Sequence, residues 1–223
     1  MILSLIILYV LTLIYLSIAD RFRNHTTILT IQGVLLFGIA MAHLHSFHPV
    51  EMGFIITETL IFKAIVIPAI LWRVIRKTKI NRIHSSSSQF GSLVMSIAAL
   101  AASCAITYNM ADVRTNYIAN EGIQNIDGNT QYIYFGVALY ALLTGLILIV
   151  MRKRIFSHLV GFLVIENGVF LFSMAIGAEF PILINLAIML DILVSIVMLG
   201  TFLRRMDNDM HTDESDALTS IKD

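Results

Sequence analysis

Four ionisable side chains stand inside stretches of sequence that are otherwise apolar: Glu58, Lys63, Glu166 and Asp191. The setting is plainest at residues 161–172, GFLVIENGVFLF, where an acid and an amide, Glu166 and Asn167, interrupt an apolar run. Soluble proteins keep such groups on their surfaces. In hydrocarbon each charge costs about 2.5–3.5 kcal/mol at a helix centre, so four left unpaired would cost on the order of 10 kcal/mol, as much as the stability of a whole domain. They must face the interior of a bundle, water or a partner subunit, and such groups are functional candidates. Burial disfavours the charged form of acid and amine alike, which brings proton exchange within reach. The chemistry these residue types point to is proton relay.

The elements that carry them are membrane spans. Of 223 residues, 57% are hydrophobic and 13% charged, and mean hydropathy is +0.83. Soluble domains carry about twice that share of charge, near 25%, so the composition points to an integral membrane protein. Seven apolar segments can be marked, at about residues 2–19, 27–44, 53–72, 90–110, 132–151, 159–178 and 182–203. Each is long enough for a hydrocarbon core of roughly 30 Å. Backbone groups in lipid must be satisfied within the element, so the segments are expected to be helices. They run too long and unbroken for the strands of an outer-membrane barrel. The expected fold is all-α, a seven-helix domain over residues 1–205 followed by an acidic cytoplasmic tail, 206–223. The opening MILSLIILYVLTLIYLSIAD lacks a basic start and a small-residue cleavage site, and it reads as a retained first span.

Loop charge alternates. Arg21 and Arg23 fill the first loop, Arg73, Arg76, Lys77, Lys79 and Arg82 the third, and Arg152, Lys153 and Arg154 the fifth; Arg204 and Arg205 follow the last span. The second loop has no Lys or Arg, the fourth sets Arg114 against Asp112, Glu121 and Asp127, and the sixth has only Glu179. By the positive-inside rule the N-terminus is outside and the C-terminus cytoplasmic. From the cytoplasmic helix ends, Glu166 then lies roughly 10 Å deep, Lys63 about 14 Å, Asp191 about 18 Å and Glu58 about 21 Å. That is a band around the midplane. Asn167 and Gly168 suit a helix contact, since amides bond across helices and small residues allow close approach.

A parallel repeat is also legible. RFRNHTTILTIQGVLLFGIAMA (21–42) aligns with RKRIFSHLVGFLVIENGVFLFSMAIG (152–177), placing Gln32 where Glu166 falls. Each copy leads to a helix with a charge within the span, Lys63 or Asp191. Helices 1–3 and 5–7 would enter the membrane in the same sense.

The remaining signals are weaker. HLHSFH sets His43, His45 and His48 near Glu51, but it reads as an interfacial helix end rather than a metal site. Cys104 is alone, and SSSSQ (85–89) is a linker. No CxxC, GxGxxG, P-loop or HExxH occurs, so no cofactor, metal or catalytic centre is expected in this chain. The basic loops answer to topology, not nucleic acid.

GFLVIENGVFLF, NLAIMLDILVSIVMLGTFLRR, FKAIVIPAILW (62–72) and the closing ALTSIKD together resemble the hydrogenase-4 component E family, membrane subunits of group 4 [NiFe] hydrogenase and formate hydrogenlyase complexes. The resemblance covers essentially the whole chain. Residues 132–205 further resemble the K subunit of complex I and the C subunit of multisubunit sodium/proton antiporters. The K subunit carries a glutamate in each of two adjacent helices, both implicated in proton translocation. Glu166 matches the first by its setting, and Asp191 the second by position, one methylene shorter. What the resemblance implies is a non-redox membrane subunit in a prokaryotic inner membrane, joining antiporter-like subunits to the anchor of a hydrogenase-like arm and helping to move protons or sodium. Lys63 and Glu58 have no assigned counterpart and rest on burial alone. Two other classes fit the same residues: a subunit of a cation/proton antiporter with no redox arm, and a membrane scaffold whose buried charges fix helix register.

Overall fold

The computed structural model describes residues 2–43, 53, 56–78, 89–118, 128–152, 155–176 and 200. Asp191 with the rest of the seventh apolar segment except Gly200, the tail 206–223, Lys79, Arg82, residues 85–88, His45, His48 and Glu51 lie outside the described residues. Within them the chain is helical, with no strand. The helices are α1 (Ile2–Ile18), α2 (Phe22–His43), a π-helical segment (Ile56–Val66) that runs directly into α3 (Ile67–Thr78), α4 (Gln89–Ile118), α5 (Gly128–Met151) and α6 (Ile155–Ile176). Among the described residues, four stretches are long and apolar enough to cross a membrane: Phe22–Ala42, Phe90–Met110, Gln131–Met151 and Phe156–Ala175. Ile2–Ile18 is apolar but shorter.

Apolar side chains cover the outside as well as the core. On α1 the exposed row is Leu3, Ile7, Leu11 and Tyr15, and α4 exposes Phe90, Val94, Ile97 and Tyr108. Spacing of three or four residues, or of eleven between Ile97 and Tyr108, sets each row on one helix face. A surface this apolar suits lipid and would be a liability in water.

The third helix departs from the uniform span expected of residues 53–72. Pro68 has no N–H, and its ring crowds the carbonyl four residues back. The turns before it are wide, with π-helical bonding over Ile56–Val66, and regular α-helix takes over at Ile67. Segments of this kind are rare and frequent at functional sites.

Small residues set the closest helix contacts. In the antiparallel pair α5 and α6, a Cβ on Gly145 would lie 2.6 Å from the Gly161 carbonyl oxygen, and one on Gly161 would lie 2.8 Å from the Gly145 carbonyl oxygen. Gly168 sits against the Ala138 backbone and Leu142. With no hydrophobic force between helices in lipid, this proximity supplies the attraction by dispersion. On the other side of α5, α4 is tied by a 2.7 Å hydrogen bond between the Ser96 and Tyr140 hydroxyls.

Helices α2 and α6 run parallel and in register. Phe22 meets Phe156 edge to face at 4.3 Å between centroids, and further along Asn167 bonds Gln32. The two pairs are separated along the chain by nearly the same number of residues, which parallel helices alone produce. These are also positions that the sequence alignment of the two halves brings together or adjacent.

One end of the bundle gathers basic residues. Arg152, 2% exposed, donates to the Ser17 and Ala19 carbonyls at 3.0 and 3.2 Å and to Asp20 at 3.3 Å. It thereby caps the carbonyl end of α1, where a helix dipole favours a cation. Burial pulls the Arg152 guanidinium below its ordinary value, and the charge and hydrogen bond of Asp20 act against that. Arg23 and Arg76 both lie over the Trp72 ring, at 5.2 and 5.9 Å. The end of α1, the start of α2, the end of α3 and Arg152 after α5 therefore share one end.

Candidate functional site

One group of buried polar residues lies on α2, α6 and the π-helical segment, which pack together. Glu166 and Asn167 are each 4% exposed, Lys63 6%, Gln32 and Thr59 not at all. Gly33 brings α2 onto the third helix: a Cβ there would stand 2.8 Å from the Ala64 nitrogen and 2.9 Å from the Lys63 carbonyl carbon. Helix α2 thus touches the backbone that carries Lys63, one residue from Gln32.

A directed hydrogen-bond chain crosses three helices in this layer. Asn167 Nδ2 donates to Gln32 Oε1 at 3.3 Å, Gln32 Nε2 donates to Thr12 Oγ1 at 3.2 Å, and Thr12 Oγ1 donates to the Tyr9 carbonyl at 2.6 Å. Gln32 uses its carbonyl toward Asn167 and its NH2 toward Thr12, so the chain fixes which way its amide is turned. Lys63 Nζ lies 5.1 Å from the centre of the Phe170 ring. Phe170 is one helical turn beyond Glu166 and so lies on the same side of α6. A cation over an aromatic face is held by the ring quadrupole, and more strongly when desolvated.

The structure therefore brings Lys63, Asn167 and the helix face bearing Glu166 into one buried region, with Gly168 on the α5 side of the same helix. Glu58 is on the π-helical segment, and its side chain lies outside the described residues, as does Asp191. A buried acid and a buried amine, beside a chain of amides and a hydroxyl, are groups that can hold a proton. Among the described residues, no three His, Cys, Asp or Glu side chains converge as a metal site would need.

Sequence reasoning missed two members of this chain and a buried histidine on the same face of α2. Gln32 appeared only as the repeat partner of Glu166, and it is the link between α6 and α1. Thr12 gave no signal, being one hydroxyl in an apolar helix. His25, 1% exposed, is two turns from Gln32 on the same face of α2. Its Nδ1 meets the Arg21 carbonyl at 3.1 Å, and since a carbonyl can only accept, Nδ1 carries the hydrogen. Nε2 is buried without a hydrogen-bond partner among the described residues. A polar residue at seven-residue spacing from Gln32 was the available clue.

No protein-family model matches the chain, and no curated protein or solved structure matches it either.

Proposed function

We propose that this chain is a seven-span, non-redox membrane subunit of a hydrogenase-4 or complex I-like respiratory complex in a prokaryotic inner membrane, and that Glu166, Lys63, Asp191 and Glu58 contribute to its path for protons or sodium. The N-terminus faces outside and the arginine-rich end faces the cytoplasm. The observation that carries the reading is the buried layer itself: an acid, an amine and an oriented amide chain inside an apolar bundle, at a depth where charge is costly unless it is used. Gathering of Arg23, Arg76 and Arg152 at one end supports the orientation. The sequence resemblance supplies the partners, antiporter-like and anchor subunits, and the source of energy, electron transfer in a hydrogenase-like arm.

The test is Glu166→Gln in the native complex, which keeps shape and removes the exchangeable charge. Electron transfer and subunit composition are expected to persist while coupled ion movement is lost. Unchanged ion movement would overturn the reading. Copurification with antiporter-type subunits and no hydrogenase-like large subunit would move the same residues into a gradient-driven exchanger.

A further inference from the structure

Two rows of side chains on the outside of the bundle begin with arginines and continue as apolar surface. On α2 the exposed positions are Arg23, Thr27, Ile31 and Val34, a single face by helical spacing. On the third helix they are Ile61, Ile65, Ala69, Arg73 and Arg76, again one row. Helix α2 packs on the third helix through Gly33 and Ala64, so the rows belong to neighbouring helices. They start together, because Arg23 and Arg76 share the Trp72 ring.

Two guanidiniums on one indole repel each other, and among the described residues no carboxylate bonds either. Each retains N–H donors in a planar fork suited to phosphate oxygens. Trp72 is half-buried, and tryptophan sits by preference at the headgroup level of a membrane. Below this cationic end, Ile31, Ile61 and Ile65 are 43%, 43% and 57% exposed. A phosphate-bearing headgroup with hydrocarbon beneath it has the same order of polarity.

We propose that Arg23, Trp72, Arg73 and Arg76 form a binding site for an anionic phospholipid, its phosphate held by the guanidiniums and its acyl chains lying along Ile31, Val34, Ile61 and Ile65. The proposal rests on the membrane-spanning reading and is independent of ion movement. An anionic lipid between α2 and the third helix would brace the contact that positions Lys63.

The experiment is native mass spectrometry of the full chain from nanodiscs of mixed phosphatidylcholine and phosphatidylglycerol, for wild type, R23Q/R76Q and R23K/R76K. Wild type is expected to retain phosphatidylglycerol preferentially. At about 1 kcal/mol per basic residue near an anionic surface, R23Q/R76Q should bind it about 30-fold more weakly, and R23K/R76K should keep most of the affinity. Equal retention by wild type and R23Q/R76Q overturns the site. So does displacement of the lipid by inorganic phosphate, which would make it a phosphate site only. Absence of the lipid from the native complex would give the face to an acidic segment of a neighbouring subunit and overturn the proposal. Should R23Q/R76Q aggregate, wild type decides: its melting temperature must rise with phosphatidylglycerol and stay unchanged with phosphatidylcholine.

Discussion

Replacing Gly33 by alanine tests the contact that sets the position of Lys63. The added methyl would stand 2.8–2.9 Å from backbone atoms of Lys63 and Ala64. Carbon contacts are comfortable at about 3.5–4.0 Å, so the helices must part by roughly 0.6–1.2 Å at this level, and backbone cannot rotate aside as a side chain can. Overpacking of this kind costs about 1–3 kcal/mol. Against it stands the gain in helix propensity of Ala over Gly, about 0.8–1.0 kcal/mol. Gly38, on the same helix, supplies the control: among the described residues its Cβ would meet only the side chain of Leu5, at 3.5 and 4.0 Å. G38A should therefore be neutral or slightly stabilising, and the difference between G33A and G38A isolates the clash at about 1–3 kcal/mol. Thermal unfolding of both variants in one detergent reads it. A shift of Lys63 by an ångström should also lower ion movement by up to about 100-fold, the scale of loss from a misplaced reacting group. Equal melting temperatures for G33A and G38A would refute the reasoning, because the close approach of α2 would then not constrain the third helix.

Other outcomes follow from the same geometry. Arg152→Gln removes two bonds to the end of α1 and one to Asp20; because the Asp20 side chain is 35% exposed, that pair counts little, and the loss should be about 2–4 kcal/mol in detergent unfolding, mostly from the carbonyls. A double-mutant cycle on Gln32→Ala and Asn167→Ala should give a coupling of about 0.6 kcal/mol, up to about 1.7; zero coupling would remove the amide link between α2 and α6. Gly145→Leu should separate α5 from α6 and abolish stable assembly, as read by size-exclusion chromatography and protease resistance. By contrast, a Cβ on Gly53 would meet nothing within 4 Å among the described residues, and Gly53→Ala should leave the same profile unchanged.

The helical character of the fold was legible in the sequence. Hydropathy and low charge specify helices in lipid, because an apolar run of this length can satisfy its backbone in no other way. Glu166 and Lys63 stood out for the same reason: a charge inside such a run is conspicuous by its cost. The π-helical turns before Pro68 were less legible. Proline forbids regular bonding behind it, but whether the helix kinks, stops or widens depends on what packs there, here the bare backbone of Gly33.

Sequence alone settled the type of element and which residues are costly to bury, since both follow from local composition against a uniform solvent. It could not decide which costly residues meet. Gln32 and Asn167 became partners because α2 and α6 lie parallel and in register, and Thr12 joined them because α1 crosses at the same height. Arg152 looked like a topology signal, yet its guanidinium turns inward to cap α1. Those outcomes depend on helix rotation and spacing, which small residues such as Gly33, Gly145 and Gly161 set through contacts between segments distant in the chain.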